Sequence, residues 1–523
     1  MRREVHGKGI SADHKGLSER NRLNLFLFAL FPAIFGLIWL VVSDDPTFKM
    51  VGLVVLTGSA FILVSFFRPY YLSRSIIVVL GAVPFASIPI LGVQLQWVLA
   101  LVIAYWLAAL VGLVRRHPAS SGWKPAIWAI YGLLVLSLIS YLATRGQFGS
   151  ADDLEFVKWA LSTSLVLIIA RQSAEEIVRL LKLFVISTTG AAVYAFASIL
   201  PDGGSLLNLL GLVGYQRTTD DNQAYFLQNG DRVAARLSGS FVDPNIAALF
   251  FFLALIFALI LFLGRKRVLI CSVLLIGLIA TLSRGGMLAL AFALILFLIF
   301  NRKNIHRRTG VLLFCFTAGV LILAVPVTRQ RFLTTFGQSD LGTVDRLESL
   351  DQYWSVMSHS WVWGLGWGRP EFRSAAVSYA VNMVANAPLA TVYRGGLVAG
   401  IGFLVLLLVC AWAMFRLLAR GTGRSVLLAG LIGGFVAAIQ TGYAVVTIAP
   451  MTCLLALVFL TVVRPDVFLA SARRSERMPD SAGPSFLVPN KSALSDSGGN
   501  PVMAPQPHQE ARGIRKRHFA GTT

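Results

Sequence analysis

The chain has 523 residues, of which 56% are hydrophobic and only 14% are charged. A soluble chain of this length would form roughly three or four domains and would carry more charge, so the composition indicates an integral membrane protein. The net charge of +21 does not indicate a nucleic-acid-binding protein, because the basic residues are dispersed among short segments instead of gathering on a soluble domain.

Apolar runs of about twenty residues, the length that crosses a bilayer core, recur along the chain as far as Val463. They begin near Leu23, Met50, Ser75, Gln96, Pro125, Phe156, Lys182, Asn245, Val268, Gly286, Gly310, Gly395, Ser425 and Val446. Those near Ser75, Phe156 and Val268 are marginal, because they are short or contain proline or lysine. The sequence therefore predicts an all-α polytopic membrane protein with about 12 to 14 transmembrane helices.

The distribution of basic residues predicts the orientation of these spans. Basic residues precede the first span and return on alternating loops, at Arg68 and Arg74, Arg115 and Arg116, Arg265 to Arg267, and Arg302 to Arg308. The intervening loops around Asp44, Val93 and residues 152–155 are neutral or acidic. Because loops rich in lysine and arginine stay in the cytoplasm, both termini are predicted to be cytoplasmic.

This topology divides the chain into seven segments. They are a basic cytoplasmic N-terminus (1–22), N-terminal transmembrane helices (23–200), an extracytoplasmic loop (201–244), transmembrane helices with a Ser-Arg-Gly-Gly turn (245–327), a large extracytoplasmic loop (328–394), C-terminal transmembrane helices (395–463) and a cytoplasmic tail (464–523). The tail is rich in serine, proline, glycine and basic residues and poor in apolar ones, so it is predicted to be disordered.

The two long exported loops contain arginine but no lysine. The guanidinium group binds phosphate and carboxylate in a bidentate manner and stays charged, so these loops are suited to recognising oxyanions, although ordinary solvation of a loop explains arginine equally well. The four cysteines lie in apolar runs without metal-ligand spacing. We therefore predict no metal site, no disulfide framework and no cofactor.

Two short motifs flank the central spans. In the first, which runs from Arg236 to Asn245, Asp243 is a predicted helix N-cap followed by Pro244. Such a helix start can receive an anion, or it can be an ordinary capped end. The second is Thr281-Leu-Ser-Arg-Gly-Gly286, in which Arg284 lies between apolar runs and must line a polar cavity, form a pair or extend to the membrane surface.

A third group of motifs lies in the large loop. Asp345-Arg346-Leu-Glu348 predicts an amphipathic helix, and Trp363-Gly-Leu-Gly-Trp-Gly368 predicts a glycine-rich turn. The spacing of Gly364, Gly366 and Gly368 does not indicate a dinucleotide site, because no strand precedes it. The two tryptophans, Trp363 and Trp367, suit either sugar stacking or anchoring at the membrane interface. Asn386 and Tyr393-Arg-Gly-Gly396 follow.

Taken in this order, the motifs between about Ala235 and Val463 resemble the O-antigen ligase and polysaccharide polymerase superfamily of bacterial inner-membrane proteins. The resemblance implies an enzyme that transfers glycan from a polyprenyl-pyrophosphate-linked oligosaccharide to a glycan or lipid acceptor at the extracytoplasmic face. It also implies contact with membrane lipids and with polysaccharide export or chain-length proteins, and it implies no nucleic acid.

The resemblance suggests a role for each motif residue. Arg236, Arg284 and Arg346 would bind the donor pyrophosphate, and Asn245, Trp363, Gly364, Gly366, Gly368 and Asn386 would support the glycan or the loop. Members of the superfamily often carry a histidine before the loop asparagine, but Ala385 stands there in this chain. Asp243 and Glu348 are therefore the candidate catalytic bases, with Asp243 preferred, and His359 is a weaker alternative.

Three functional classes remain open from the sequence. A glycan polymerase is slightly favoured over a ligase, and a lipid-linked oligosaccharide flippase is the alternative, since it would need a similar number of helices and a basic cavity. The chain shows no convincing internal repeat, and its exported loop of about sixty residues is longer than ordinary connections, which favours an enzyme over a transporter. A non-catalytic scaffold for the glycan machinery is the third possibility.

Overall fold

The computed structural model describes residues 70–90, 93–110, 123–199, 210–211, 214–215, 225–228, 231–301, 350–369, 386–440 and 448–469, with a few scattered positions between 309 and 446. The spans predicted near Leu23, Met50 and Gly310 lie outside the described residues, as does the tail after 469.

The described chain is mainly helical. Its helices are α1 (Tyr70–Ala82), α2 (Trp97–Leu110), α3 (Lys124–Thr144), α4 (Ser150–Ala170), α5 (Ala174–Ile199), α6 (Pro244–Leu261), α7 (Gly264–Ala280), α8 (Arg284–Phe300), α9 (Ala387–Arg420), α10 (Gly423–Ile439) and α11 (Ala449–Val463). Residues 350–357 form a further short helix.

Among these helices, α3, α5, α6 and α9 are long and apolar enough to cross a membrane, while α1, α2, α8, α10 and α11 are shorter apolar helices. The prediction of a helical membrane protein is therefore confirmed, whereas the total of 12 to 14 spans stays a prediction. The helix predicted to begin near Gly395 begins earlier, at Ala387. Asn386 caps it and Pro388 lies in its first turn, so Tyr393-Arg-Gly-Gly396 lies within a helix and not in the preceding loop.

Two short antiparallel hairpins interrupt the helices, and the sequence did not predict them. Strands β1 (Ser87–Ile90) and β2 (Val93–Gln96) pair with Ser87 opposite Gln96, and β3 (Tyr225–Gln228) pairs with β4 (Asp231–Ala235). The first hairpin explains why the predicted span near Ser75 is wrong in length. Helix α1 has only 13 residues and ends before Pro84, which cannot continue a helix.

Helix α6 lies at the centre of the structure. Its apolar window is 83% buried inside the protein, compared with 33% for α9. Phe250, Phe251, Phe252 and Phe257 on α6 are all fully buried. A helix that is apolar all round and buried on every side is a core helix, and α5, α7, α8 and α10 pack around α6.

Small residues fix the direction of the helices next to α6. A Cβ atom added at Gly286 of α8 would lie 2.6 Å from Ala248 of α6, and one added at Gly434 of α10 would lie 2.6 Å from the carbonyl oxygen of Ala289. Gly430 likewise packs on Ala293. Close approach through small residues is typical of membrane helices. These contacts make α6 and α8 parallel to each other and α10 antiparallel to both.

The starts of α6, α8 and α9 and the end of α10 consequently lie at one end of the bundle. We name this the loop end, because the irregular segments 236–243, 281–283 and 361–369 also lie there. The opposite end, named the basic end, contains the junction of α6 with α7 and the junction of α9 with α10. The Trp123 amide donates to the Val463 carbonyl there (3.1 Å), which places the end of α11 at the basic end too.

Charge is distributed unequally between the two ends. The described basic residues of the basic end include Arg74, Lys124, Arg171, Arg179, Arg265, Lys266, Arg267, Arg416, Arg420, Arg424 and Arg464. Of the acidic residues that the structure describes, only Glu175, Glu176 and Asp466 lie at that end. At the loop end, acidic residues such as Asp152, Asp153, Glu155 and Asp243 balance the arginines. The packing thus gathers onto one surface the basic loops that alternate along the sequence.

Helix α9 is broken at Gly396, and segment 361–366 fills the break. Gly396 has φ 63° and ψ −172°, a conformation that is essentially restricted to glycine. The amides of Leu397 and Val398 donate to the carbonyls of Trp361 (2.7 Å) and Val362 (3.3 Å). The carbonyls of Tyr393 and Arg394 accept from the amides of Leu365 (2.9 Å) and Gly366 (3.1 Å). These four groups would pair with one another in a continuous helix.

Substitution of Gly396 by alanine should therefore disrupt this junction. The new Cβ would lie 2.1 Å from the Val362 carbonyl oxygen, and the backbone conformation would be strained, so we expect a loss of at least about 2 kcal/mol in the free energy of unfolding. Gly132→Ala on α3 is the matched control, because no atom lies within 4 Å of a Cβ there. Unfolding in detergent measures both variants, and equal stability would contradict the role given to the break.

Candidate functional site

Arg236 joins the first two motifs at the loop end. Its Nε donates to the Thr281 carbonyl (3.1 Å), and its Nη2 donates to Oδ1 of Asn245 (3.0 Å). The backbone reinforces this junction, because the Leu237 amide donates to the Ala280 carbonyl (3.0 Å). A guanidinium group held by two acceptors is fixed in orientation. The structure thus brings together Arg236 and Asn245, as the sequence predicted, and connects them to the turn before α8.

Asp243 is the N-cap of α6, as the sequence predicted. Its Oδ1 accepts hydrogen bonds from the backbone amides of Asn245 and Ile246, while no described residue donates to its Oδ2. No ion pair joins Asp243 to Arg236 among the described residues. One carboxylate oxygen therefore secures the helix start, and the other can accept a hydrogen bond from a ligand.

A buried tyrosine holds the segment that leads to Asp243. The Tyr215 hydroxyl donates to the Ser240 carbonyl and accepts from the Phe85 amide (3.3 Å). Burial raises the pKa of Tyr215 well above its ordinary value, so this hydroxyl stays protonated and remains a donor. Ser240 Oγ in turn donates to the Ala82 carbonyl (2.6 Å). The segment from Ser238 to Asp243 is therefore fastened to the end of α1.

Arg284 is the first residue of α8 and is half-buried. The turn before it is rigid, because Thr281 and Ser283 are buried and the Thr281 hydroxyl accepts from the Ser283 amide (3.2 Å). The positive end of the helix dipole and the unpaired amides of the first turn add to the charge of the guanidinium group. Since Arg236 binds the carbonyl of Thr281, its guanidinium group is fixed on the turn that precedes Arg284.

Asn386 connects α9 to α10 at the same end. Its Oδ1 accepts from the Leu389 amide (3.1 Å), so it is the N-cap of α9. Its Nδ2 donates to Oε1 of Gln440 (3.2 Å), at the end of α10. Asn386 therefore has a structural role as a cap, and Gln440, which the sequence reasoning did not identify, is its partner.

The glycines of segment 363–368 are required by close approach. Gly364 has φ 80° and Gly366 has φ 98°. A Cβ added at Gly364 would lie 2.4 Å from the Gly396 nitrogen, and one added at Gly368 would lie 2.5 Å from the Asp152 nitrogen. The predicted loop-supporting role of these glycines fits this geometry: they allow the segment to enter the break in α9 and to contact the start of α4.

The two tryptophans of this segment have different environments. Trp363 is exposed, with 45% of its surface accessible, whereas Trp367 is fully buried. The Trp367 ring lies 4.9 Å from that of Trp159 and 5.5 Å from that of Phe156, both on α4. The expectation that Trp367 faces a sugar or the membrane interface is therefore wrong, because the turn carries this side chain into the core. Trp363 remains accessible.

Asp152 on α4 fastens the glycine segment, and the sequence reasoning missed it. It is fully buried, and its two carboxylate oxygens accept from the backbone amides of Gly368 (2.7 Å) and Phe148 (3.0 Å). Its position in an acidic first turn was visible in the sequence, but its partner lies 216 residues away. Only the fold could show that this carboxylate is structural.

Arg394 lies inside the protein beside α4. It is 7% exposed, and its Nη1 lies 3.8 Å from Oε2 of Glu155. Glu155 also pairs with Lys158 at 2.8 Å. A buried arginine requires compensating charge, and α4 provides it. The sequence motif Tyr393-Arg-Gly-Gly396 therefore combines a buried cation with the glycine that breaks α9.

The remaining predicted site residues are less well defined. Arg346 and Glu348 lie outside the described residues, and His359 lies in an exposed turn. Within the described part of the chain, no three histidine, cysteine, aspartate or glutamate residues are placed to share a metal ion. Of the three arginines assigned to the donor pyrophosphate, Arg236 and Arg284 are described, and both lie at the loop end.

Asp152→Asn should destabilise the protein by about 1 to 3 kcal/mol, because the amide nitrogen of asparagine cannot accept a hydrogen bond and leaves one buried backbone amide without a partner. Asp153→Asn is the matched control. The Asp153 side chain is 44% exposed, and its surface ion pair with Arg145 contributes at most about 1 kcal/mol. Its Oδ1 also accepts from the Tyr141 hydroxyl, and the amide oxygen of asparagine can still accept that hydrogen bond. Unfolding in detergent compares the two variants, and an equal effect would show that the buried contacts of Asp152 are not needed.

Comparison with known proteins finds one family whose model matches part of the chain. A family model described as O-antigen ligase matches residues 268–404, from within α7 to beyond the break in α9, and includes Arg284 and the glycine segment. No curated protein matches the chain. The match supports a membrane protein of the polysaccharide ligase or polymerase kind. It confirms the predicted resemblance to the O-antigen ligase and polysaccharide polymerase superfamily over residues 268–404.

Proposed function

We propose that the protein is a membrane glycosyltransferase that polymerises or ligates glycan from a polyprenyl-pyrophosphate-linked donor at the extracytoplasmic face of the bacterial inner membrane. The observation that carries this proposal is the junction of Arg236 with the turn before Arg284, at the start of the segment that matches O-antigen ligase.

The two arginines suit a pyrophosphate leaving group. Transfer breaks the bond between the anomeric carbon and the pyrophosphate oxygen, and negative charge develops on that oxygen. Arg236 is held by Thr281 and Asn245, and Arg284 adds its charge to the start of α8. Prepositioned cations of this kind stabilise the developing charge without reorganising during the reaction. Arg346, from the third group of motifs, is proposed as a third ligand.

Asp243 is proposed as the general base. An acceptor hydroxyl would donate to the Oδ2 atom, which has no partner among the described residues, and would transfer its proton to it as the oxygen attacks the anomeric carbon. The new glycosidic bond forms, and the donor leaves as polyprenyl pyrophosphate. Glu348 is the alternative base. Trp363 is proposed to stack on a sugar, because its indole ring is accessible beside the glycine segment.

The difference in charge between the two ends of the bundle supports the predicted orientation of the protein in the membrane. Surfaces rich in lysine and arginine remain in the cytoplasm, which would place the basic end there and the loop end outside. Both termini would then be cytoplasmic, and export or chain-length proteins would meet the product at the outer face. A flippase would also use a basic cavity, but the match to O-antigen ligase favours transfer.

Glycan transfer by the purified protein in vesicles tests this proposal. Given a lipid-linked oligosaccharide and an acceptor, without nucleotide sugar or added metal, the wild type should form longer or transferred glycan. Arg236→Ala and Arg284→Ala should each lower the rate by on the order of 100-fold or more, because each removes a prepositioned positive charge. Lys266→Ala, at the basic end, should retain activity. Donor translocation without any transferred product would instead favour the flippase.

Asp243→Asn separates the capping role of Asp243 from its proposed role as a base. Asparagine is an equally good N-cap, so the stability of the protein should be almost unchanged. An amide cannot accept the proton, so the turnover rate should fall by on the order of 100-fold or more, with a smaller effect on the apparent KM. Full activity of this variant would exclude Asp243 as the base and leave Glu348.

A further inference from the structure

A cavity of about 240 Å³ lies at the basic end, away from the candidate site. It is formed where the start of α3 meets the ends of α9 and α11. Arg416 and Arg420 from α9 line it, together with Trp123 and Asp466. The remainder of its wall is mostly apolar. The combination of two arginines, an indole ring and apolar side chains suits a ligand with an anionic group.

The charge of this cavity is positive. The guanidinium group of Arg416 lies 5.7 Å from the centre of the Trp123 ring, and neither Arg416 nor Arg420 forms an ion pair with any carboxylate that the structure describes. The one acidic residue of the wall, Asp466, is already paired with Arg464, whose Nη2 lies 3.2 Å from its Oδ2. Arg416 and Arg420 are therefore available to an incoming anion.

An apolar stripe on α9 leads to these arginines. Leu404, Leu408 and Trp412 are spaced by four residues, so they lie within about 80° of one another around the helix, and Arg416 follows one turn beyond Trp412. Each of the three apolar side chains is more than half exposed, at 54%, 60% and 59%. The helix therefore presents an apolar surface that leads toward Arg416 at the edge of the cavity.

We propose that this surface binds one anionic phospholipid of the basic-end leaflet. The headgroup phosphate occupies the cavity between Arg416 and Arg420, and an acyl chain lies along Leu404, Leu408 and Trp412. Arginine binds phosphate oxygens through paired N–H donors, and basic pockets between helices are suited to anionic headgroups. A free phosphate ion would use the arginines but not the apolar stripe. The bound lipid would connect the end of α9 to the residues at the start of α3.

Lipid binding to the full-length, delipidated protein in neutral detergent tests this proposal. Phosphatidylglycerol and phosphatidylcholine with identical acyl chains are titrated, and bound lipid is counted by native mass spectrometry. The wild type should bind one phosphatidylglycerol in preference to phosphatidylcholine. The double variant R416Q/R420Q should bind phosphatidylglycerol about tenfold more weakly, while R416K/R420K should retain much of the preference because it keeps both charges.

The double variant R265Q/K266Q is the matched control, since it removes the same charge from the same end without touching the cavity. It should bind phosphatidylglycerol as the wild type does. Equal binding of the two lipids, or an equal loss in R265Q/K266Q, would overturn the proposal. Displacement of the lipid by equimolar inorganic phosphate would also overturn it, because the acyl chain would then contribute nothing. This experiment measures lipid binding and not glycan transfer. Its result therefore tests the lipid site independently of the proposed enzymatic function.

Discussion

The break in α9 is the constraint on which the loop end depends. A helix in an apolar environment cannot leave its backbone amides and carbonyls without partners. At Gly396 the four backbone groups that the break releases all have partners, because segment 361–366 supplies two carbonyls and two amides to them. The irregular backbone is thus tolerated, and the large loop is held against the bundle by backbone hydrogen bonds that depend on no particular side chain.

This junction positions the other contacts of the loop end. Once segment 361–366 is seated, Gly368 reaches the buried carboxylate of Asp152, and Trp367 enters the core against α4. Arg394 is brought beside Glu155 of the same helix. On the other side of the bundle, Asn386 and Gln440 connect α9 to α10, which packs along α8. The first residue of α8 is Arg284, so the glycine segment and Arg284 share one framework.

The two ends of the bundle have different electrostatic roles. At the loop end, positive charge is concentrated at the Arg236 and Arg284 region and is balanced by carboxylates nearby, which suits selective binding of an anionic leaving group. At the basic end, positive charge covers the surface and suits a membrane leaflet. The same residue type therefore occurs in two settings: Arg236 is partly buried and held by two acceptors, whereas Arg416 and Arg420 are exposed.

The sequence by itself determined the membrane character, the capped start of α6 and the resemblance of the Arg284 and glycine motifs to O-antigen ligase, because apolar run length, N-cap chemistry and glycine-rich turns are local properties. It did not determine the short hairpin after α1, the burial of Trp367 or the partners of Asp152, Arg394 and Asn386. Those features depend on contacts between residues far apart in the chain. Only the tertiary structure decided that a loop segment, and not the helix itself, satisfies the backbone at Gly396, since neither segment reveals its partner in its own sequence.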